Sequence, residues 1–205
     1  MWESLFQRAL TLIDAAAVAG GSIGTWSFGG GTVLMRRHHH RLSKDIDIFI
    51  VDPQVLGYLS PRLSEAALTL TADYLETASS LKLRFAGGEI DFIASQPLTE
   101  KPFVQEQLFG RVVNVEASSE IIAKKLWHRG DLFTARDIFD LAMVAEKEPE
   151  ALMEIKRILR DRRAMVFARI ESSDVALREA FAALDVLDYD RTYDECVERV
   201  RRALS

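Results

Sequence analysis

The sequence predicts an α+β chain, with a mixed β-sheet flanked by helices over residues 1–116 and a helical region packed on that core over residues 117–205. Three patterns carry this reading. Short apolar runs with strand character stand at Ile46 to Val51, Leu81 to Phe85 and Glu89 to Ala94. Glycine clusters punctuate them at Gly29–Gly31 and Gly87–Gly88. From Ser118 onward the apolar spacing is helical almost without break.

Taken in order, Trp2, Leu5, Phe6, Ala9, Leu12, Ile13 and Ala16 recur at helical spacing, and Gly20 with Gly21 ends that helix. Trp26 to Phe28 reads as a short strand entering the triple glycine, and Thr32 to Met35 as a turn or two of helix after it. The segment Arg36 to Lys44 reads as a basic loop leading into the Ile46 strand. Pro53 closes that strand, and two short helical pieces follow, broken at Pro61. Leu81–Phe85 and Glu89–Ala94 flank Ala86-Gly87-Gly88 as a hairpin, and Phe109–Val115 gives one more strand. In the second half, Ser118 caps a helix ended by Gly130, and Thr134 with Asp137 resembles a capping box. Pro149 opens a helix running to about Phe167, Ser173 opens another, and Thr192 with Glu195 starts the last.

Composition narrows the function. With 48% hydrophobic residues in 205, a sizeable core is available. A formal net charge of -5 argues against bulk electrostatic binding of nucleic acid, so any such contact rests on a local patch. Cys196 is the sole cysteine and reads as a core thiol in a reducing cytosol. No apolar run approaches the roughly 20 residues that span a bilayer, and the N-terminal pattern lacks the basic start of a signal peptide. A cytoplasmic location without membrane contact follows as the expectation.

The chemistry concentrates between Gly29 and Asp47. Glycines between a strand and a helix allow positive φ and close backbone approach, and N–H groups at the helix start favour a phosphate. Neither the phosphate-loop spacing nor the dinucleotide-binding spacing is present. Asp45 and Asp47 stand at i and i+2 at the mouth of the Ile46 strand, so their side chains share a face, on the order of 7 Å apart at the backbone. Two carboxylates so placed converge on one hard cation or straddle a pair roughly 4 Å apart. Asp91 lies in the middle of a later strand and is the candidate third carboxylate and general base if that strand pairs beside Ile46 to Val51, with Glu89 its substitute. The other reading is an edge-strand aspartate facing water. Ser43 reads as a loop-shaping hydroxyl. His38, His39 and His40 lack zinc-ligand spacing. A second basic cluster, Lys156 to Arg163, reads as a solvated helix face or an RNA contact, and Trp127 as a core residue, with stacking on a base as the alternative.

These motifs resemble the polymerase-β-like nucleotidyltransferase superfamily and, within it, the AbiEii/AbiGii-type toxin nucleotidyltransferases. G-G-T-x-L at Gly30 to Leu34, R-x-S-x-D-h-D at Arg41 to Asp47, A-x-K-L at Ala123 to Leu126 and R-D-h-x-D-L at Arg136 to Leu141 carry the resemblance, over about residues 25–145. It implies a nucleotidyltransferase fold, with Asp45, Asp47 and Asp91 as magnesium ligands of a two-metal site and an NTP as substrate. Gly30, Gly31 and Thr32 would line the phosphate turn, with Arg41 and Ser43 beside the nucleotide. Lys125 would contact the triphosphate, with Lys124 as the substitute, and Asp137 would complete the catalytic set. The implied activity is transfer of an NMP group from an NTP to an acceptor, with RNA such as a tRNA end as that acceptor and pyrophosphate as product. The chain would be the toxin of a toxin–antitoxin or phage-defence pair with a separately encoded antitoxin. Two alternatives stand beside it, a small-molecule or protein hydroxyl as acceptor, and a catalytically silent nucleotide-binding module.

Overall fold

The computed structural model describes residues 2–20 and 23–205, so the helix end expected at Gly21 lies outside the described residues. The first half runs α1 (Trp2–Val18), β1 (Trp26–Gly29), α2 (Gly30–His38), β2 (Ile46–Ile50), a 3-10 turn at Pro53–Val55, α3 (Leu56–Leu59), α4 (Glu65–Leu70) and β3 (Tyr74–Glu76). Four strands follow, β4 (Ser80–Phe85), β5 (Gly88–Ala94), β6 (Phe103–Leu108) and β7 (Arg111–Glu116). The remainder is helical: α5 (Ser118–Arg129), α6 (Ala135–Lys147), α7 (Pro149–Glu154), α8 (Lys156–Ser172), α9 (Asp174–Ala182) and α10 (Tyr193–Leu204). The chain divides into two compact units. One comprises Met1–Val33, Ser43–Gln96 and Phe103–Glu116; the other comprises Leu34–Leu42, Pro97–Pro102 and Ala117–Ser205.

The first unit holds a seven-stranded mixed sheet in the order β3-β4-β5-β2-β1-β7-β6. β2 runs parallel to β5 and antiparallel to β1, and β1 runs parallel to β7. The alternation expected of strands holds where it matters: Ile46, Ile48 and Ile50 on β2, and Ile90 and Phe92 on β5, are buried, while Asp47, Phe49 and Asp91 between them are intermediate. Helix α1 packs on β2 and β5, and Phe6 meets Phe28 of β1 with ring centroids 4.5 Å apart.

The second unit is built around α6, which packs against α5, α7, α9 and α10. Thr134 and Asp137 form the expected capping box, as do Thr192 and Glu195 at α10. Phe139 on α6 stacks with His40 and meets Phe181 and Tyr189 edge-on. Cys196 is fully buried, and burial pushes its thiol up to about 12. No described helix is long and apolar enough to cross a membrane.

Several local expectations are corrected. Arg36, Arg37 and His38 extend α2 instead of forming a loop. The strands β3 and β6 escape the apolar-run criterion because both lie at sheet edges, where Gln105, Glu106 and Gln107 are compatible with pairing. Phe109 lies in the turn of the β6–β7 hairpin, where it and Gly110 both have positive φ, 51° and 79°. The helix expected from Pro149 to Phe167 breaks at Ile155 into α7 and α8. Ala117, rather than Ser118, occupies the N-cap of α5, and the Ser118 hydroxyl donates to Glu148 Oε1 at 2.7 Å. Trp127 is 45% exposed, with the Arg162 guanidinium 4.2 Å from its ring centroid, so it is not a core residue.

Candidate active site

In the first unit, sheet register assembles a row of side chains. Asp47 on β2 pairs with Asp91 on β5, Asp91 pairs with Lys82 on β4, and Asp47 pairs on its other side with Gly29 on β1. Directly paired residues project to the same face, so Lys82, Asp91 and Asp47 lie side by side across three strands. Asp45, one residue before β2, is fixed by its Oδ1, which accepts from the Glu89 backbone N–H at 3.0 Å. Asp91 therefore lies on an interior strand rather than on a sheet edge.

The glycines shape the same end of the sheet. β1 ends at Gly29 and α2 begins at Gly30, whose φ of +73° favours a residue without Cβ. A Cβ on Gly30 would stand 1.9 Å from Asp47 Oδ2, and one on Gly29 would stand 2.2 Å from Glu116 Oε2. The missing side chains thus make room for two carboxylates. Gly31 and Thr32 follow, both buried in the first turn of α2. Thr32 Oγ1 donates to the Asp45 carbonyl at 2.6 Å and lies 3.0 Å from Ser43 Oγ, which pins the approach to Asp45.

Lys82, which the motif spacing does not single out, is bonded to two of these acids. Its Nζ donates to Asp91 Oδ2 at 2.8 Å and to Glu89 Oε2. Burial raises the Asp91 carboxyl above its ordinary value against the pull of Lys82, with Glu89 and Asp45 adding to the rise. For Lys82 burial acts downward, yet Asp91 and Glu89 outweigh it and hold the ammonium above its usual range.

The second unit gathers the other expected residues around one buried acid. Asp140 has no exposure, and Arg41 grips it with both arms, Nε to Oδ1 at 2.7 Å and Nη2 to Oδ2 at 2.8 Å. His40 Nε2 lies 2.8 Å from Asp140 Oδ1, and burial lowers the His40 pKa against the pull of that carboxylate. Lys125 Nζ sits 3.0 Å from Asp140 Oδ2 and 2.6 Å from Asp137 Oδ1. Asp137 Oδ2 accepts from the Thr134 N–H and hydroxyl at 3.0 and 2.7 Å, so the cap and the ion pair share one carboxylate. Burial opposes ionisation of Asp140, but Arg41 and Lys125 prevail and hold it well below the usual carboxylate range. Lys124 Nζ lies 3.4 Å from Glu120 Oε1, and the Glu120 carboxylate accepts from the Leu98 and Thr99 N–H groups. The three histidines diverge, His38 to Glu148, His39 to Asp188 and His40 to Asp140.

The model of the nucleotidyl transferase AbiEii toxin family, of type IV toxin–antitoxin systems, matches residues 13–203. This chain belongs to the AbiEii family. It is therefore a nucleotidyltransferase of a toxin family, as the motifs implied. Comparison with curated proteins gives no match. Among solved structures, MenT4, a nucleotidyltransferase toxin from Mycobacterium tuberculosis, is similar at 19% identity and a TM-score of 0.53, covering 100% of this chain and 82% of that one. JHP933 from Helicobacter pylori is similar at 16% identity and a TM-score of 0.53, covering 95% of this chain and 88% of that one. At these identities the likeness concerns the fold.

The donors fit a hard divalent cation. Asp45, Asp47 and Asp91 offer only oxygen, on a face where Gly30 is cut back to admit Asp47. Among the described residues no three His, Cys, Asp or Glu side chains converge as a ready cage. Magnesium does not require one, because it binds through one or two carboxylates together with substrate phosphates.

Two outcomes follow. Gly30→Ala is expected to lower nucleotidyl transfer on the order of 100-fold by displacing Asp47, the scale of a 1 Å misplacement, while thermal unfolding shifts only modestly; unchanged turnover would refute the close approach. Asp140→Asn leaves Arg41 and Lys125 under-compensated and is expected to cost about 3–5 kcal/mol in urea unfolding. Because the folded pKa of Asp140 is depressed, its contribution is present above the unfolded value near ~3.9 and is lost as pH falls below it. The urea midpoint of the native chain should therefore drop below about pH 4 more steeply than that of Asp140→Asn.

Proposed function

We propose that this chain transfers an NMP group from an NTP to a hydroxyl of an RNA acceptor such as a tRNA end, with magnesium held by Asp45 and Asp47. The observation that carries this reading is the register of β2 on β5, which sets Asp47 beside Asp91 at a glycine turn that also fixes Asp45. The bound magnesium would supply charge neutralisation and Lewis acidity at the phosphates. The N–H groups at Gly30, Gly31 and Thr32 bind phosphate oxygens at the start of α2. Asp91, with a raised pKa, takes the proton of the acceptor hydroxyl. That oxygen bonds to the α-phosphorus, the bond to the bridging oxygen breaks, and pyrophosphate leaves with the electron pair.

An RNA acceptor accords with the exposed Arg157 and Arg160 on α8, which suit a phosphate backbone. Arg41, Lys125 and Asp137 pair their charges around Asp140, which supports a part in holding the second unit together beside the nucleotide contacts that the resemblance implies. Membership of a type IV toxin–antitoxin family supports a separately encoded antitoxin as the partner of this toxin.

The test incubates purified protein with Mg²⁺, each α-labelled NTP and total tRNA, beside an Asp45→Asn/Asp47→Asn variant. Label should enter the tRNA with the native chain, disappear with a chelator, and fall by at least ~100-fold in the variant. Equal labelling by both proteins, or labelling by neither, overturns the reading.

A further inference from the structure

Lys82 lies against the third acid of the row. The β4–β5 pairing sets it directly opposite Asp91, and its ammonium bonds Asp91 Oδ2 at 2.8 Å and Glu89 Oε2 at the same time. Two acids on one strand thus hold one lysine from the next strand, which fixes the charge more firmly than a single contact would. The site is sheltered: the side chains of Lys82 and Asp91 are 29% and 19% exposed. An ammonium is a compact point charge, and a dication drawn to the same oxygen would have to approach it or displace it. Asp91 Oδ1, by contrast, accepts no hydrogen bond among the described residues and is left to receive a proton.

Resting on the carboxylate reading above, we infer that Lys82 substitutes for the second divalent cation, so that the chain works with one metal ion, held by Asp45 and Asp47. Lys82 is then a positioning residue that acts through Asp91. It neutralises that carboxylate, keeps it from ligating metal and aims its other oxygen at the acceptor hydroxyl. The expected three-carboxylate metal set becomes a pair of ligands and a separate base.

Bound Mn²⁺, counted by the loss of its free electron-paramagnetic-resonance signal in the presence of a non-hydrolysable NTP analogue, tests this. The native chain and Lys82→Arg are expected to bind about one ion per chain. Lys82→Met, which keeps the apolar stem and removes the charge, is expected to bind about two, the second being lost again when Asp91→Asn is added. Lys82→Gln serves as the second neutral variant, with thermal unfolding of each compared to the native chain. Two ions on the native chain, or a single ion on folded Lys82→Met and Lys82→Gln, overturns the substitution by lysine while leaving the carboxylate reading intact. No ion on the native chain, or an undiminished one on Asp45→Asn/Asp47→Asn, overturns the carboxylate reading and with it the inference about Lys82.

Discussion

In a parallel pair of strands, register decides which side chains share a face, and the pairing of Ile46 with Ile90 obliges Asp47 to lie beside Asp91. Everything else at that end of the sheet accommodates this juxtaposition of like charges. Lys82 answers it from the neighbouring strand, and Gly29 and Gly30 answer it by having no side chain where Glu116 and Asp47 need room. Burial of Ile46, Ile48, Ile50, Ile90 and Phe92 on the opposite face holds the register, since a slip of one residue would send the acids into the core. The apolar face thus fixes the polar one.

The second unit treats buried charge in the opposite way. Around Asp140 each acid is met by cations at hydrogen-bond distance, and Arg41, Lys125 and His40 converge from separate stretches of chain. Breaking such a network is costly because it leaves an uncompensated charge in a dry place, although the intact network adds little over a well-packed apolar core. What it contributes is a fixed arrangement, since the fork of Arg41 accepts few geometries. The position of the Arg41 stretch beside Val186 and of the His39–His40 stretch beside Leu187 and Asp188 is written in the same terms, with backbone hydrogen bonds completing what the side chains begin.

Much of this was legible in the sequence, for reasons that are local. The D-x-D at Asp45 and Asp47, the triple glycine and the apolar strands announce themselves because turn chemistry and alternation depend on neighbours in the chain. The hairpin at Ala86-Gly87 is legible too. Its two-residue turn pairs Phe85 with Gly88, and counting outward by three on each side places Lys82 opposite Asp91. What could not be read was the fate of the charges in Arg41, Lys125 and Asp140, because their partners are about a hundred residues away for Arg41 and come from the folded unit. The edge strands were missed for a third reason, since a strand that buries little need not be apolar.

Lys82, Lys124 and Lys125 show how far a motif can go in assigning a role. Spacing within the A-x-K-L motif singles out Lys125, and adjacency makes Lys124 its substitute, yet each faces a different acid: Lys125 meets Asp137 and Asp140, and Lys124 meets Glu120. The 100° between successive residues on a helix makes that divergence unavoidable. Lys82 belongs to none of the motifs, yet the sheet sets it against Asp91 and Glu89. An ammonium acquires its function from the carboxylate it faces, and in a sheet that carboxylate is chosen by register rather than by distance along the chain. A lysine on β4 is therefore a stronger candidate for influencing the chemistry at Asp91 than its distance from every motif would suggest.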